Sequence, residues 1–113
     1  MIQRRAKKGS DKVTITFSLA EAVLRGQGVD SEGVTLVGDF NDWDPTVAPM
    51  VAAAGRRTAT VILPPGRRHA FRYLSERGQW LNDEDADAYE PNEFGVDNSI
   101  LDLRRDRLAR APR

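Results

Sequence analysis

The sequence predicts an all-β sandwich, and three observations support this prediction. Several short segments alternate apolar and polar side chains, which is the pattern of strands with one buried face. Glycine and proline residues separate these segments, and no segment has the helical period over enough residues for a long helix. With 113 residues, the chain is long enough for one hydrophobic core but not for two. We therefore expect a single sandwich domain.

The first half of the chain contains the clearest strand. Residues 13–19 alternate without interruption, so Val13, Ile15, Phe17 and Leu19 would face the core. The other elements predicted in this half are a helical turn at 20–24, a loop at 26–33 and a second strand at 34–38.

The second half follows the same pattern. Residues 58–63 place Ala59, Val61 and Leu63 on one face, and the prolines and glycine in 64–67 favour a tight turn. The other elements predicted here are a connection at 46–55 with a short strand, a strand at 69–74, a hairpin loop at 75–79 leading to Trp80 and Leu81, a polar loop at 82–98 and a last strand at 99–103.

Charge is unevenly distributed along a chain whose net charge is zero. Residues 1–12 and 104–113 each carry five basic residues and one acidic residue, while residues 13–103 carry seven basic and fifteen acidic residues. Basic ends on an acidic body could suggest nucleic-acid binding. The ends contain no aromatic residue that could stack on bases. We therefore expect flexible, solvated tails and no nucleic-acid partner.

Composition excludes several classes of function. There is no cysteine, so disulfides, thiolate metal sites and cysteine nucleophiles are absent. No apolar run is long enough to span a membrane. The basic start of the chain is not followed by an apolar segment, so it does not have the pattern of a secretory signal. We expect a cytoplasmic protein with no membrane association.

Residues 34–45, with the sequence VTLVGDFNDWDP, contain the most informative feature of the chain. A strand leads into a cluster of aspartate, asparagine and proline residues around a single Trp43. An indole in a polar turn gains little from packing in the core. We therefore expect the turn to present Trp43 at the surface, where the ring can meet a flat ligand.

Five motifs follow one another in the chain: GDFNDWDP at 38–45, LPPG at 63–66, FRYL at 71–74, GQW at 78–80 and EFGVDNSIL at 93–101. Over residues 13–103 this ordered set resembles the family 48 carbohydrate-binding module. This family includes the early-set domain of isoamylase and glycogen-branching enzymes and the glycogen-binding domain of the AMP-activated protein kinase beta subunit. The resemblance implies an immunoglobulin-like (early-set) β-sandwich that binds α-1,4-glucan, such as glycogen or starch oligosaccharides, without catalysis.

The resemblance also implies the residues of the sugar site. Two tryptophans would stack on sugar rings, and a basic residue and two loop residues would complete the site. The implied carbohydrate-binding residues are Trp43, Trp80, Arg72, Asn98 and Phe94. Two features depart from the kinase relatives: those relatives have a threonine where Val96 stands, and the stretch 66–72 is one residue longer here.

The chemistry of these residues supports the same site without the resemblance. A glucose ring has an apolar face and a rim of hydroxyls, so its recognition needs aromatic plates and hydrogen-bonding groups. Alternation places Phe71 and Tyr73 on one face of their strand and Arg72 on the other. The Arg72 guanidinium can donate several hydrogen bonds to hydroxyls, and the Asn98 amide offers both a donor and an acceptor.

Each candidate residue also has a structural interpretation that the sequence leaves open. Trp43 could lie half-buried under its own turn, and Trp80 could cap the edge of the sandwich. Arg72 could be a solvated strand residue, and Phe94 could belong to the core. Asn98 could hydrogen-bond the backbone of its own loop.

The acidic stretch 83–87 could suggest a calcium site, because carboxylates are ligands for hard cations. The stretch fails the EF-hand pattern, since Ala88 stands at the glycine position and Phe94 at the final ligand position. We therefore expect a solvated loop and no metal.

Paired carboxylates could also suggest a glycoside hydrolase, since Asp39, Asp42 and Asp44 lie in one turn and Asp83 follows the other tryptophan. All lie in loops that we expect to be exposed, without the apolar enclosure that raises the pKa of a general acid. The only histidine, His69, is expected at a strand edge or on the surface rather than in catalysis. The sequence therefore predicts a protein that is not an enzyme and needs no cofactor.

The alternative function is that of an immunoglobulin-like module for protein–protein interaction or regulation. Such a module would keep the family fold but use this surface, or the basic tails, to engage a protein partner. The sequence leaves this alternative open beside α-glucan binding.

Overall fold

The computed structural model describes residues 1–6 and 11–104, and the described chain is an all-β sandwich. It has one short helix, α1 (Glu21–Gly26), and a single 3-10 turn at Asp39–Asn41. The strands within the described residues are β1 (Ile2–Ala6), β2 (Val13–Ala20), β3 (Thr35–Gly38), β4 (Val51–Ala53), β5 (Arg56–Leu63), β6 (Arg68–Leu74), β7 (Trp80–Leu81), β8 (Ala88–Pro91) and β9 (Asp97–Asp102).

Two antiparallel sheets form the layers of the sandwich. The first sheet has the strand order β1-β2-β5-β4, and the second has the order β3-β6-β9-β8. The short strand β7 pairs with the carboxyl-terminal end of β6, through the pairs Tyr73–Leu81 and Leu74–Trp80. Strand β6 is therefore an interior strand of the second sheet, with a neighbour on each side.

The core lies between the sheets and follows the alternation of the sequence. Val13, Ile15 and Phe17 point inward from β2, and Phe71 and Tyr73 point inward from β6. The Phe17 and Phe71 rings meet edge to face, with 4.9 Å between their centroids. This arrangement suits the aromatic quadrupoles, and it joins the two sheets at the centre of the molecule.

The outer face of the second sheet carries the side chains that alternate with the core residues. Leu36 pairs with Tyr73 on the core side, so the next pair, Val37 and Arg72, points outward. Arg72 is partly exposed, as its position between two buried aromatics predicts. Val37 is fully buried although it faces away from the core, so the outer face is covered at this position.

The prediction that residues 1–12 form a flexible tail is wrong for residues 2–6. Strand β1 pairs antiparallel with β2, and Ile2 packs against the core. The side chain of Arg4 forms an ion pair with Asp87. Only one residue of β1 is a large apolar side chain directed at the core, so the pattern is too weak to indicate a strand; its charged side chains are typical of a sheet edge.

Other parts of the predicted tails lie outside the described residues, namely 7–10 and 105–113. Arg104, the only described residue of the predicted carboxyl-terminal tail, donates from its guanidinium to Asp102 over 2.8 Å. This interaction, more than any other, lowers the pKa of Asp102 to about 2.

The acidic stretch at 83–87 is not a solvated loop throughout, because Asp83 is only 1% exposed. Its Oδ2 accepts a 2.6 Å hydrogen bond from the Tyr73 hydroxyl, and its backbone N–H donates to Ser99 Oγ over 2.9 Å. Burial, and then the Asp83 charge, raises the pKa of Tyr73 well above 10.0. The Asp83 carboxylate thus links the segment after β7 to the core residue Tyr73. The sequence around Asp83 does not reveal this role, because it depends on a partner ten residues away.

No helix in residues 1–6 and 11–104 has the length and the apolar character that crossing a membrane requires.

Candidate functional site

An open groove of about 710 Å³ lies on the outer face of the second sheet. All the residues predicted to bind carbohydrate line it, together with Val96 and two residues that the sequence reasoning did not select, Asn92 and Glu93. The full set of lining residues is Trp43, Arg72, Trp80, Asn92, Glu93, Phe94, Val96 and Asn98. The groove therefore joins the turn after β3, the β6–β7 hairpin and the β8–β9 hairpin.

Trp43 reaches the groove from a tightly bonded turn. Gly38 N–H donates to Asn41 Oδ1 over 3.0 Å, and Asn41 Nδ2 donates to the Leu36 carbonyl over 3.1 Å. The Trp43 N–H then donates to the Gly38 carbonyl over 2.9 Å. These bonds close the turn on the end of β3 and fix the backbone from which the indole extends.

The same turn holds two non-glycine residues in the left-handed region, Asp42 at φ 58° and Trp43 at φ 57°. Such a conformation costs on the order of 1–3 kcal/mol per residue and persists only where the surroundings impose it. Bulky side chains rarely adopt it. The indole is partly buried, which agrees with the half-buried interpretation of Trp43, yet it still lines the groove.

Asp39 anchors this turn to β6. One carboxylate oxygen lies 3.1 Å from His69 Nδ1, and the other accepts a 3.0 Å hydrogen bond from the Ala70 N–H. Burial alone would raise the pKa of Asp39, but the hydrogen bonds from His69 and Ala70 and the charges of His69 and Arg67 outweigh it, so the pKa lies below its usual value.

His69 is not on the surface, contrary to one of the predicted alternatives, although it lies at the start of β6, where this strand pairs only with β9. It points inward from the interior strand β6 and is only 4% exposed. Its ring meets that of Phe40 at a steep angle, with 6.0 Å between centroids. The contacts of His69 with Phe40 and Asp39 come from the turn after β3, which the local pattern around His69 does not reveal.

Trp80 and Arg72 line the groove side by side. Trp80 pairs with Leu74, and Leu74 lies two residues after Arg72, so all three side chains share the outer face. The Arg72 guanidinium carbon lies 5.3 Å from the centre of the indole, a cation–π distance. The indole remains 47% exposed. Trp80 thus exposes part of its ring to the groove, and the Arg72 guanidinium packs against that ring.

Arg72 is partly withdrawn from water. Burial lowers the pKa of Arg72 from its usual value, although the nearby Asp97 charge opposes this shift. Its Nε is buried without a hydrogen-bond partner among the described residues. The guanidinium remains charged, and its terminal amino groups can donate to a ligand.

Phe94 is not a core residue. It stands at the tip of the β8–β9 hairpin and is 81% exposed, the highest value among the large apolar side chains described. Gly95 beside it has φ 81°, and the Gly95 N–H donates to the Asn92 carbonyl over 3.1 Å. The tight turn therefore holds the Phe94 ring away from the body of the domain.

Asn98 completes the groove from strand β9. Its neighbour Ser99 pairs with the core residue Phe71, so Asn98 points to the outer face. Its side chain accepts a 3.1 Å hydrogen bond from Asn92 Nδ2 rather than bonding the backbone of the loop. Asn92 was missed because an asparagine before a turn also suits a purely structural role.

No group of three or more metal-ligating side chains occurs among residues 1–6 and 11–104. Glu93 is the one carboxylate among the described residues that line the groove. The groove is therefore equipped with aromatic rings, hydrogen-bond donors and amide groups.

Comparison with models of known protein families and with curated proteins finds no match to this chain.

Proposed function

We propose that this domain is an immunoglobulin-like (early-set) module that binds α-1,4-glucan without catalysis. The observation that carries the proposal is that Trp43, Trp80, Arg72, Asn98 and Phe94 open onto one groove, although they come from three separate segments of the chain. The motifs that resemble the family 48 carbohydrate-binding module support the same assignment.

The indoles of Trp43 and Trp80 supply the apolar part of the recognition. The axial C–H groups of a glucose ring can pack on the face of an indole. If each ring buries about 60–100 Å² against sugar, it contributes roughly 1.5–2.5 kcal/mol at about 25 cal/mol per Å². Rings in one groove can act on successive glucose units of a single chain, which favours an oligosaccharide over a free monosaccharide.

Arg72 and Asn98 supply the polar part. The guanidinium donates to sugar hydroxyls, and it stays directed because it rests against the Trp80 ring. Each hydrogen bond that competes with solvent adds about 1 kcal/mol. After the cost of association, we expect a dissociation constant of roughly micromolar to millimolar. Such an affinity suits localisation on a polymer.

The carboxylates of the domain support a binding role over hydrolysis. Glycoside hydrolysis commonly needs two carboxyl groups that face one bond. Glu93 is the one acidic residue among the described residues of the groove, and Asp39 is engaged with His69 and Ala70.

Calorimetric titration with maltoheptaose tests the proposal. We expect saturable binding to the wild type, and about a tenfold or greater loss of affinity in Trp43→Ala and in Trp80→Ala, from the burial of one indole. Ile62→Ala is the matched control, because Ile62 is an exposed apolar residue of the first sheet. Its affinity should equal that of the wild type.

A flat titration of the correctly folded wild type would contradict the proposal. It would favour the alternative, an interaction module that uses the exposed Phe94 and its groove to bind a protein partner.

A further inference from the structure

We infer that Asn92 is a positioning residue that sets the hydrogen-bonding polarity of the groove through Asn98. The inference rests on the proposed function and adds to it the type of group that the ligand must offer at this point. Asn92 lies at the end of the β8–β9 hairpin and lines the groove beside Asn98.

The orientation of the Asn92 amide follows from the backbone. Phe94 N–H donates to Asn92 Oδ1 over 2.8 Å, and Val96 N–H donates to the same oxygen over 3.4 Å. A backbone N–H can only donate, so the side-chain atom that faces these two groups must be the oxygen. The amide nitrogen of Asn92 therefore points the other way.

The orientation of Asn98 follows from that of Asn92. Asn92 Nδ2 lies 3.1 Å from Asn98 Oδ1 and donates to it. The two amides thus form a chain in which each orientation dictates the next. The Asn98 amide nitrogen makes no hydrogen bond within the described part of the chain, and it remains as a donor to the groove.

This chain of amides has a consequence for the ligand. The guanidinium of Arg72 is also a donor and cannot accept. Both polar side chains predicted to bind sugar therefore offer donors to the groove. A glucan would engage these donors through the lone pairs of its hydroxyl, ring or bridging oxygens, while Asn98 Oδ1, which already accepts from Asn92, has one lone pair left for a hydroxyl proton.

Asn92→Asp tests the inference with little change of shape. The variant keeps an acceptor for the Phe94 N–H but loses the donor to Asn98. The Asn98 amide should then turn to donate to the introduced carboxylate, which removes its donor from the groove. We expect maltoheptaose affinity to fall by about two- to tenfold, the effect of one lost hydrogen bond.

A double-mutant cycle separates positioning from direct contact. Asn98→Ala should weaken binding to a similar degree, and Asn92→Asp added to Asn98→Ala should produce no further loss. An additive loss would overturn the inference, since Asn92 would then act independently of Asn98. Asn92→Ser, which is neutral, should give the same non-additive result.

Nuclear magnetic resonance of the side-chain amides distinguishes failure of this inference from failure of the proposed function. In the free wild type, the Asn92 amide protons should exchange more slowly than those of Asn98; the reverse order would overturn the inference whether or not glucan binds. If exchange is slower at Asn92 but no signal changes on addition of maltoheptaose, the hydrogen bond between the two amides would be confirmed. Its role in glucan recognition would then be refuted.

Discussion

Trp43 and Trp80 line the same groove, but different kinds of local structure hold them there. Trp43 stands on a turn with two left-handed non-glycine residues, closed by hydrogen bonds to the end of β3. Trp80 stands on a regular two-residue strand that pairs with β6, with the Arg72 guanidinium against its ring. Strain has to be imposed by the surroundings, whereas regular pairing is itself stabilising.

The difference indicates that the two halves of the groove depend on different parts of the fold. The Trp43 half depends on close packing under its turn and on the Asp39 anchor to β6. The Trp80 half depends on a hairpin and on a single cation–π contact. Changes beneath the turn should therefore disturb Trp43 first, and changes at Arg72 should disturb Trp80 first.

The largest effect is expected from Gly38→Ala. A Cβ at this position would lie 2.7 Å from the Ala70 carbonyl oxygen and 2.7 Å from the Phe40 ring. The Phe40 contact involves the outer edge of its ring, but the Ala70 oxygen belongs to the backbone and cannot turn aside, so the end of β3 and β6 must move apart. We expect a loss of about 1–3 kcal/mol in the free energy of unfolding, typical of overpacking, measured by urea denaturation.

Gly26→Ala is the matched control for this variant. Gly26 ends α1, and a Cβ there would meet no atom within 4 Å. Its stability should remain within about 0.5 kcal/mol of the wild type. Equal stability of the two variants would contradict the close packing beneath the Trp43 turn.

A smaller effect is expected from acid. The pKa of Asp39 is lowered in the folded protein, so its contribution to stability is complete above its ordinary value of 3.8 and disappears as the pH falls through the lowered value. In Asp39→Asn, this titration is absent. The stability difference between wild type and variant should therefore be constant from about pH 7 to about pH 5 and shrink below pH 3.8.

Denaturation of both proteins across this pH range gives the measurement, with the Trp43 indole signal as a local probe. Asp42→Asn is the control, because Asp42 lies in the same turn and its carboxylate makes no hydrogen bond among the described residues. If the difference in the free energy of unfolding between wild type and Asp39→Asn stayed the same at every pH, the hydrogen bonds of the Asp39 carboxylate would not stabilise the turn.

The smallest effect is expected from Arg72→Lys. Lysine keeps the positive charge but lacks the planar guanidinium that rests on the Trp80 ring. We expect about a two- to fivefold loss of maltoheptaose affinity, because the lysine ammonium can still lie over the ring but cannot stack on it and offers fewer donors in fixed directions. The Trp80 indole signal should move and the Trp43 signal should stay in place. A shift of both signals would show that the two halves of the groove are coupled.

Much of the fold follows from local patterns in the sequence. Alternation identifies β2, β5 and β6, and it places Phe71 and Tyr73 inside with Arg72 outside. Alternation does not predict that the candidate site residues share one groove, because this depends on how three separate segments of the chain meet.

The features that sequence reasoning missed depend on partners far along the chain. Strand β1 is recognisable only through its pairing with β2, and the burial of Asp83 only through Tyr73 and Ser99. Likewise, the orientation of Asn92 depends on the closed hairpin. Spacing shows which side chains share a face but not which polar groups become partners.

Two-dimensional NMR of the two indole N–H groups during a maltoheptaose titration tests the central claim most directly. Glucan binding across one groove predicts that both signals shift saturably with a single dissociation constant, roughly micromolar to millimolar. A response from only one indole, or from neither in the folded protein, would contradict a shared sugar-binding surface.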